Sequence, residues 1–285
     1  MSFGAAPLGN LGTAVSDEDA EGAIHAAWQA GIRYFDVAPH YGLGLAESRL
    51  GRALRAYPRD EYIVSTKVGR LLFDPGEGMR EDSQGFAVRS SLRRVFDYSA
   101  DGVRRSLDGS LGRLGLDRVD LVYVHDPENH YREALAGAFP ALDDLRRQGV
   151  IASYGAGMNE SAMLADIVRE TDSDVVLAAR TWTLANQSAF MDLLPVATER
   201  GVSIVIGGVL TGIGDIARPS SLSELFDRFG VTLTAAATRF PLTSPAVSTV
   251  LVGMRSRSEV DIDSQAFSER IPEQFWPAVR ASLHL

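Results

Sequence analysis

Asp36, Tyr41, Lys67 and His125 bring a carboxylate, a phenol, an ammonium and an imidazole into the first half of a 285-residue chain. Each lies at or just past the C-terminal end of a segment that reads as a β-strand, over 32–38, 61–67 and 119–125. Such a set suits carbonyl/alcohol redox chemistry, in which a hydride moves to or from a carbon and a proton must be handled on the attached oxygen. A phenol with its ordinary pKa near 10 is a poor base at neutral pH. A neighbouring ammonium favours the phenolate, so Lys67 is expected to lower the pKa of Tyr41 and Asp36 to hold Lys67 charged and in place. A proton donor works best with a pKa near the working pH. His125 can donate a hydrogen bond to the substrate oxygen where charge develops.

Taken singly, each residue has a plainer explanation. Asp36 can cap the turn before Pro39, Tyr41 can be a surface aromatic, Lys67 can be a snorkelling lysine, and His125 can be a loop histidine beside Asp126 and Pro127. Their joint placement at strand ends is what the plainer explanations do not account for.

The elements that must position them alternate. Short runs rich in Val and Ile, such as Tyr62-Ile63-Val64-Ser65-Thr66 and Ser203-Ile204-Val205-Ile206, alternate with segments of helical period. That pattern indicates an α/β fold with a parallel sheet buried on both faces. Strands are expected over 3–8 and around Tyr34, Ile63, Val122, Ala152, Val176, Val205 and Val250. Eight strands favour a closed (β/α)8 TIM barrel, which builds its site at the C-terminal ends of its strands. Ser16 and Ser99 read as N-caps. Helices are expected over 134–148, 163–170, 191–200 and 233–240. The stretch 70–98, with Pro75, Gly76, Gly78 and Gly85, reads as a long irregular loop and a lid over the site. No linker or repeat divides the chain, so 1–285 is expected to be a single domain.

Composition narrows the function classes. A net charge of −9 argues against nucleic acid as a partner. The absence of cysteine removes disulfides, thiolate metal sites and thiol nucleophiles. The five histidines have no H-x-H or H-E-x-x-H spacing, so no metal is expected. The N-terminus carries neither a basic nor an apolar leader, so a cytoplasmic location without membrane contact is expected.

Three strings carry a resemblance: Tyr34-Phe35-Asp36-Val37-Ala38-Pro39-His40-Tyr41-Gly42, Ser65-Thr66-Lys67-Val68, and Val119-Asp120-Leu121-Val122-Tyr123-Val124-His125-Asp126. Together they resemble the aldo-keto reductase superfamily, and nearest the group of pyridoxal 4-dehydrogenase, L-fucose dehydrogenase and D-threo-aldose 1-dehydrogenase. The resemblance implies an NAD(P)-dependent oxidoreductase on a TIM barrel. Asp36, Tyr41, Lys67 and His125 would be its catalytic tetrad. It also implies that Gly4, Ala5 and Ala6 line the nicotinamide end, and that Asn159 and Arg180 approach the carboxamide. Gly208, Val209, Leu210 and Gly212 would run beside the pyrophosphate. Gly253, Arg255, Glu259 and Asp263 would lie at the adenosine end. Glu259 would favour NAD over NADP by repelling a 2′-phosphate, while Arg255 and Arg257 pull the other way. Against this group's pattern the segment after Gly208 is short, the barrel-bottom hairpin is absent, and Asp263 stands where Asn is frequent.

His40, Phe73 and Trp182 are the expected substrate contacts. The expected partner is a small molecule, either a sugar, a pyridoxal-like ring or a natural-product intermediate, bound by a monomer or small homo-oligomer. The alternative is a barrel of this kind with a reduced cofactor belt, acting as a non-redox lyase or isomerase or as a ligand-binding protein.

Overall fold

Residues 1–216 and 221–285 are described by the computed structural model of the chain. Within them, eight strands close into a parallel barrel: β1 (Ser2–Gly4), β2 (Tyr34–Asp36), β3 (Ile63–Val68), β4 (Leu121–His125), β5 (Ser153–Met158), β6 (Val175–Ala179), β7 (Ser203–Gly207) and β8 (Val247–Gly253). The ring closes through β1, where Gly4 pairs with Asp36 on one side and Gly253 on the other.

Alternation along the strands sorts their side chains. On β3, Thr66 turns outward and donates to Glu47 Oε1 on helix Leu45–Leu54 at 2.9 Å. Ser65 and Lys67 turn into the barrel, toward Asp36. The lumen is filled by Tyr123, Val175, Leu177, Val205 and Leu251, with Tyr34, Leu121 and Ala179 against them. A larger apolar layer, including Phe35, Val64, Val122, Ile204 and Val250, lies between barrel and helices. The barrel is therefore a packed core, and its open chemistry is confined to one end.

The expected caps are present. Ser16 Oγ accepts from Asp19 N at 3.0 Å ahead of helix Asp17–Gln29, and Ser99 Oγ accepts from Gly102 N at 3.1 Å ahead of helix Ala100–Leu114. Other expectations need correction. The first strand stops at Gly4, and Pro7, which has no N–H to give a ladder, sits instead in the 3-10 turn Ala6–Gly9. The helix expected over 134–148 begins as a π-turn, Ala134–Ala138, and becomes α only at Phe139–Arg147, with Pro140 in the first turn. A further helix spans Ser221–Phe229.

The largest difference concerns 70–98, which is ordered rather than irregular. Arg70–Phe73 pairs antiparallel with Arg93–Phe96, and Arg80–Glu81 with Arg89–Ser90. The glycines at 76, 78 and 85 all have positive φ and mark turns of this hairpin arm. Among the described residues no helix is long and apolar enough to cross a membrane, and no group of three or more His, Asp or Glu side chains is placed to hold a metal ion.

Candidate active site

Backbone contact places Tyr41. The turn after β2 passes so close to the 3-10 turn Ala6–Gly9 that a Cβ on Gly9 would lie 2.6 Å from the carbonyl carbon of Tyr41. A Cβ on Gly42 would lie 2.4 Å from Gly9 O, and Gly42 also has φ +63°. Only glycine allows this approach without displacing the chain. Tyr41 N donates to Ala38 O at 3.1 Å and Tyr41 O accepts from Ala46 N at 3.2 Å, which fixes the turn between β2 and helix Leu45–Leu54.

The strand ends bring the other three residues to it. Lys67 Nζ donates to Asp36 Oδ2 at 2.7 Å and to Val37 O at 3.0 Å, and lies 4.8 Å from the centre of the Tyr41 ring. Lys67 is 2% exposed. A buried ammonium is tolerable only when paired and hydrogen-bonded, and Asp36 supplies that pairing. The His125 ring lies 6.0 Å from that of Tyr41, nearly perpendicular.

The electrostatics differ from the simple expectation in one respect. Burial raises the Tyr41 pKa, and the charge and hydrogen bonding of Lys67 work against that rise without cancelling it. Tyr41 therefore stays a protonated phenol at neutral pH. Lys67 moves it in the expected direction, but desolvation is the larger effect. His125 is pushed well below the usual histidine value, first by burial and then by Lys67 and Arg70. It is a neutral imidazole, and its Nδ1 is buried without a hydrogen-bond partner. His40 behaves likewise, lowered to about 3 by burial and by Arg70 and Arg94, with its Nδ1 also unpartnered. Just past His125, Asp126 takes φ +42° and accepts from Arg70 Nη2 at 2.5 Å. Its carboxyl is raised by burial, which the Arg70 charge opposes.

The hairpin arm reaches this centre through an aromatic that the sequence reading did not single out. Phe86, 5% exposed, lies 5.2 Å from the His40 ring and 6.2 Å from the Tyr41 ring. Asp82 holds its loop, accepting from Gln84 N at 2.9 Å and Phe86 N at 3.2 Å and pairing with Arg94. Arg94 Nη2 in turn donates to His40 O at 2.8 Å. The arm is thus tied by a guanidinium to the turn that carries Tyr41. The only sequence signal for Phe86 is its place within the stretch expected to be a lid.

Beside Tyr41 and Asp36 opens a cavity of about 360 Å³. Gly4, Ala6, Gly208, Val209, Leu210 and Gly253 line it, six of the residues implied to hold a nicotinamide dinucleotide. Gly207, Leu177, Leu251 and Val252 complete much of the wall and were not anticipated. A Cβ on Gly253 would come within 3.2 Å of the Pro7 ring. Bare glycine backbone with apolar walls, next to a phenol and an ion pair, fits a flat heteroaromatic ring.

Other expected residues lie elsewhere. Ala5 is fully buried and contributes a backbone bond to Asp36 O at 2.8 Å. Gly212, Asn159, Arg180, Arg255, Glu259 and Asp263 are not in the cavity wall. Arg180, at φ +63°, donates from Nη2 to Asn159 Oδ1 at 2.7 Å in an exposed pair. Glu259 accepts from Arg255 N at 2.8 Å and pairs with its side chain, closing a cap with Ser256 on helix Arg257–Ser268. Phe73 and Trp182, two of the expected substrate contacts, are likewise outside the cavity wall. Phe73 is 53% exposed, at the far end of its hairpin strand opposite Arg93. Trp182 is 1% exposed; its Nε1 donates to Pro241 O at 3.1 Å and its ring packs on Phe190 and Phe240. It borders a separate groove of about 630 Å³ with Met191, Leu194 and Arg280. The indole finds its partners in Pro241, Phe190 and Phe240, not at the turn that carries Tyr41.

Comparison with known proteins agrees with this geometry. The profile of the aldo/keto reductase family matches residues 1–284. A D-threo-aldose 1-dehydrogenase from a Pseudomonas species is 41% identical, covering 97% of this chain and 91% of that protein. Pyridoxal 4-dehydrogenase of Microbacterium luteolum is 38% identical over 99% of this chain and 93% of its own length. L-galactose dehydrogenase of Arabidopsis thaliana is 32% identical, with 94% and 84% covered. Among solved structures, an aldo-keto reductase from Bacillus halodurans in its holo form superposes with a TM-score of 0.77 at 21% identity, covering 99% of this chain and 91% of that one. That likeness supports the barrel fold.

Proposed function

This chain belongs to the aldo/keto reductase family, it is an NAD(P)-dependent oxidoreductase of small carbonyl or alcohol compounds, and we propose that Asp36, Tyr41, Lys67 and His125 carry the reaction. One observation supports the assignment above others: the buried Lys67–Asp36 pair, 2.7 Å long, lies against Tyr41 where that residue borders the glycine-walled cavity.

When bound there, the nicotinamide supplies or accepts the hydride. The chain's own residues handle the oxygen. In reduction, the Tyr41 hydroxyl gives its proton to the carbonyl oxygen, and the Lys67 ammonium stabilises the phenolate left behind. In oxidation, the Tyr41 phenolate stabilised by Lys67 receives the alcohol proton. Neutral His125 holds the oxygen by a hydrogen bond as charge develops on it. Phe86 covers the reacting end and helps exclude water. Gly4, Ala6, Gly208, Val209, Leu210 and Gly253 shape the nicotinamide slot.

The preferred cofactor is NAD. Glu259 places a carboxylate at the start of helix Arg257–Ser268, where a 2′-phosphate would be repelled. The cations beside it have partners: Arg255 bonds Glu259 and Thr13 Oγ1, and Arg257 bonds Gln29. The substrate is a small ring-bearing alcohol or hemiacetal. The aldose and pyridoxal named for two relatives are of that kind, and His40 and Phe86 beside Tyr41 offer one polar and one apolar contact. The whole chain acts as one barrel domain.

Titration with NADH and with NADPH, followed by nicotinamide fluorescence, tests the reading. Saturation by NADH at lower concentration supports it; binding of neither at millimolar concentration overturns it. Tyr41→Phe is expected to lower kcat about 10³-fold with the NADH Kd changed by less than about twofold.

A further inference from the structure

Beneath the tetrad lies a second layer of side chains. Asp36, Lys67 and His125 point into the barrel from β2, β3 and β4, and the inward positions two residues earlier on the same strands are Tyr34, Ser65 and Tyr123. The register brings the two layers into contact, since Asp36 of the upper layer pairs with Ser65 of the lower, and Lys67 with Tyr123. All three lower residues carry hydroxyls, beside the apolar lumen side chains Val175, Leu177, Val205 and Leu251.

These hydroxyls are connected. Ser65 Oγ donates to Asp36 Oδ1 at 2.7 Å, opposite the Oδ2 atom held by Lys67. Tyr34 Oη donates to Ser65 Oγ at 3.0 Å, and the Tyr34 and Tyr123 hydroxyls are 3.1 Å apart. Each hydroxyl has one proton. Ser65 spends its proton on Asp36 and Tyr34 spends its own on Ser65, so Tyr123 must donate to Tyr34. We propose that Tyr123, Tyr34 and Ser65 form a one-way chain of O–H donors ending on Asp36, and that they act as positioning residues by setting how Asp36 and Lys67 share charge beneath Tyr41. The inference rests on the role assigned to Tyr41 above.

The physical effect follows from the direction of the dipoles. Each O–H turns its positive end toward the carboxylate, and such chains polarise one another in a low-dielectric interior. The chain therefore offsets part of the Asp36 charge without adding net charge. Burial raises the pKa of both Tyr34 and Tyr123, so neither loses its proton in the working range. The charged groups that act on Tyr41 are Lys67 on β3, Asp36 on β2 and Asp126 just past β4. The His40 and His125 rings beside it are neutral, and the Arg70 and Arg94 charges act on both of those rings. The Asp36 charge makes Tyr41 harder to deprotonate and the Lys67 charge makes it easier. Removing the Ser65 hydroxyl leaves more of the Asp36 charge uncompensated and draws the ammonium toward it. Both changes hold the Tyr41 proton more tightly.

The test is the pH dependence of kcat for alcohol oxidation in Ser65→Ala, Tyr34→Phe and Tyr123→Phe. The chain predicts that the rising limb moves to higher pH by about one unit in Ser65→Ala, by less in Tyr34→Phe and by least in Tyr123→Phe, with little change in NADH Kd. A purely structural role would lower kcat or Tm at every pH and leave the midpoint in place; unshifted midpoints in all three variants overturn the proposal. Tyrosinate absorbance of the cofactor-free protein gives an independent reading, with the Tyr41 signal taken as the difference from Tyr41→Phe. Active Tyr41→Phe enzyme would sink the assignment of Tyr41, while a Tyr41 titration unmoved by Ser65→Ala would sink the hydroxyl chain alone.

Discussion

The two sides of the barrel mouth are built on opposite lines. On the β2–β3–β4 side, charged and hydroxyl groups are buried and bonded to one another: Lys67 to Asp36, Ser65 to Asp36, Tyr34 to Ser65. On the β7–β8 side the cavity wall is glycine and aliphatic carbon, and the charged residues stand outside it, paired at the rim as Arg180–Asn159 and Arg255–Glu259. On the function proposed above, the first side holds a proton at a defined place and energy, which needs fixed charges in low dielectric, and the second receives a large flat ligand, which needs space and bare backbone. The contrast shows that preorganisation is concentrated where charge moves.

Lys67→Met presses the contrast hardest. It removes the cation that faces both Asp36 and Tyr41 and leaves a buried carboxylate without its ion partner. Steady-state assay should show kcat reduced about 10³-fold or more, and thermal unfolding should show a loss of about 3 kcal/mol. Retained stability would mean that the hydroxyl chain alone satisfies Asp36. Gly253→Val addresses the other side. The added side chain enters the slot next to Pro7, so the NADH Kd should rise about tenfold or more while stability falls by only about 1 kcal/mol. An unchanged Kd would show that the slot is not where the ring lies. The smallest effect concerns the rim. Burial and the Glu259 charge raise the Asp263 carboxyl from 3.8 to about 6. A raised folded-state pKa means stability that is complete below the unfolded value and lost as pH rises through the folded one. Asp263→Asn should therefore stabilise the protein at pH 7 by roughly 2 kcal/mol or less, and the gain should vanish as pH falls from about 6 to below 4. Denaturant melts at several pH values would check it; a gain independent of pH would assign the effect to packing.

The barrel, and the gathering of Asp36, Tyr41, Lys67 and His125 at one end of it, could be read in advance because both rest on local pattern. Apolar runs rich in Val and Ile marked the strands, and the four residues fall at or just past the ends of three of them. What escaped depends on contacts between distant segments. Phe86 reaches Tyr41 only because Leu11 bridges Phe86 and because Arg94 and Asp82 fasten the hairpin arm. Trp182 looked like a pocket residue because its local position past β6 was right, yet its indole meets Pro241, 59 positions away. The net rise of the Tyr41 pKa was hidden for another reason: residue types announce charge pairs, but not how completely water is excluded from them. The cofactor residues came mainly through family resemblance, since glycines alone do not reveal which of them face a common space.

The close passage of Gly9 against Gly42 has a consequence for anyone redesigning this enzyme. The reach of the Tyr41 phenol is set by two side chains that are not there, at positions that need touch no ligand. Enlarging either would push the phenol aside while every chemical group stayed intact, and an activity screen would mistake the result for damaged chemistry. His40, next to Tyr41 in the same turn, contributes its carbonyl to Arg94 and sets its ring against Tyr41, Phe86 and His125. Substrate range is therefore best explored by diversifying position 40 while 9 and 42 are held constant.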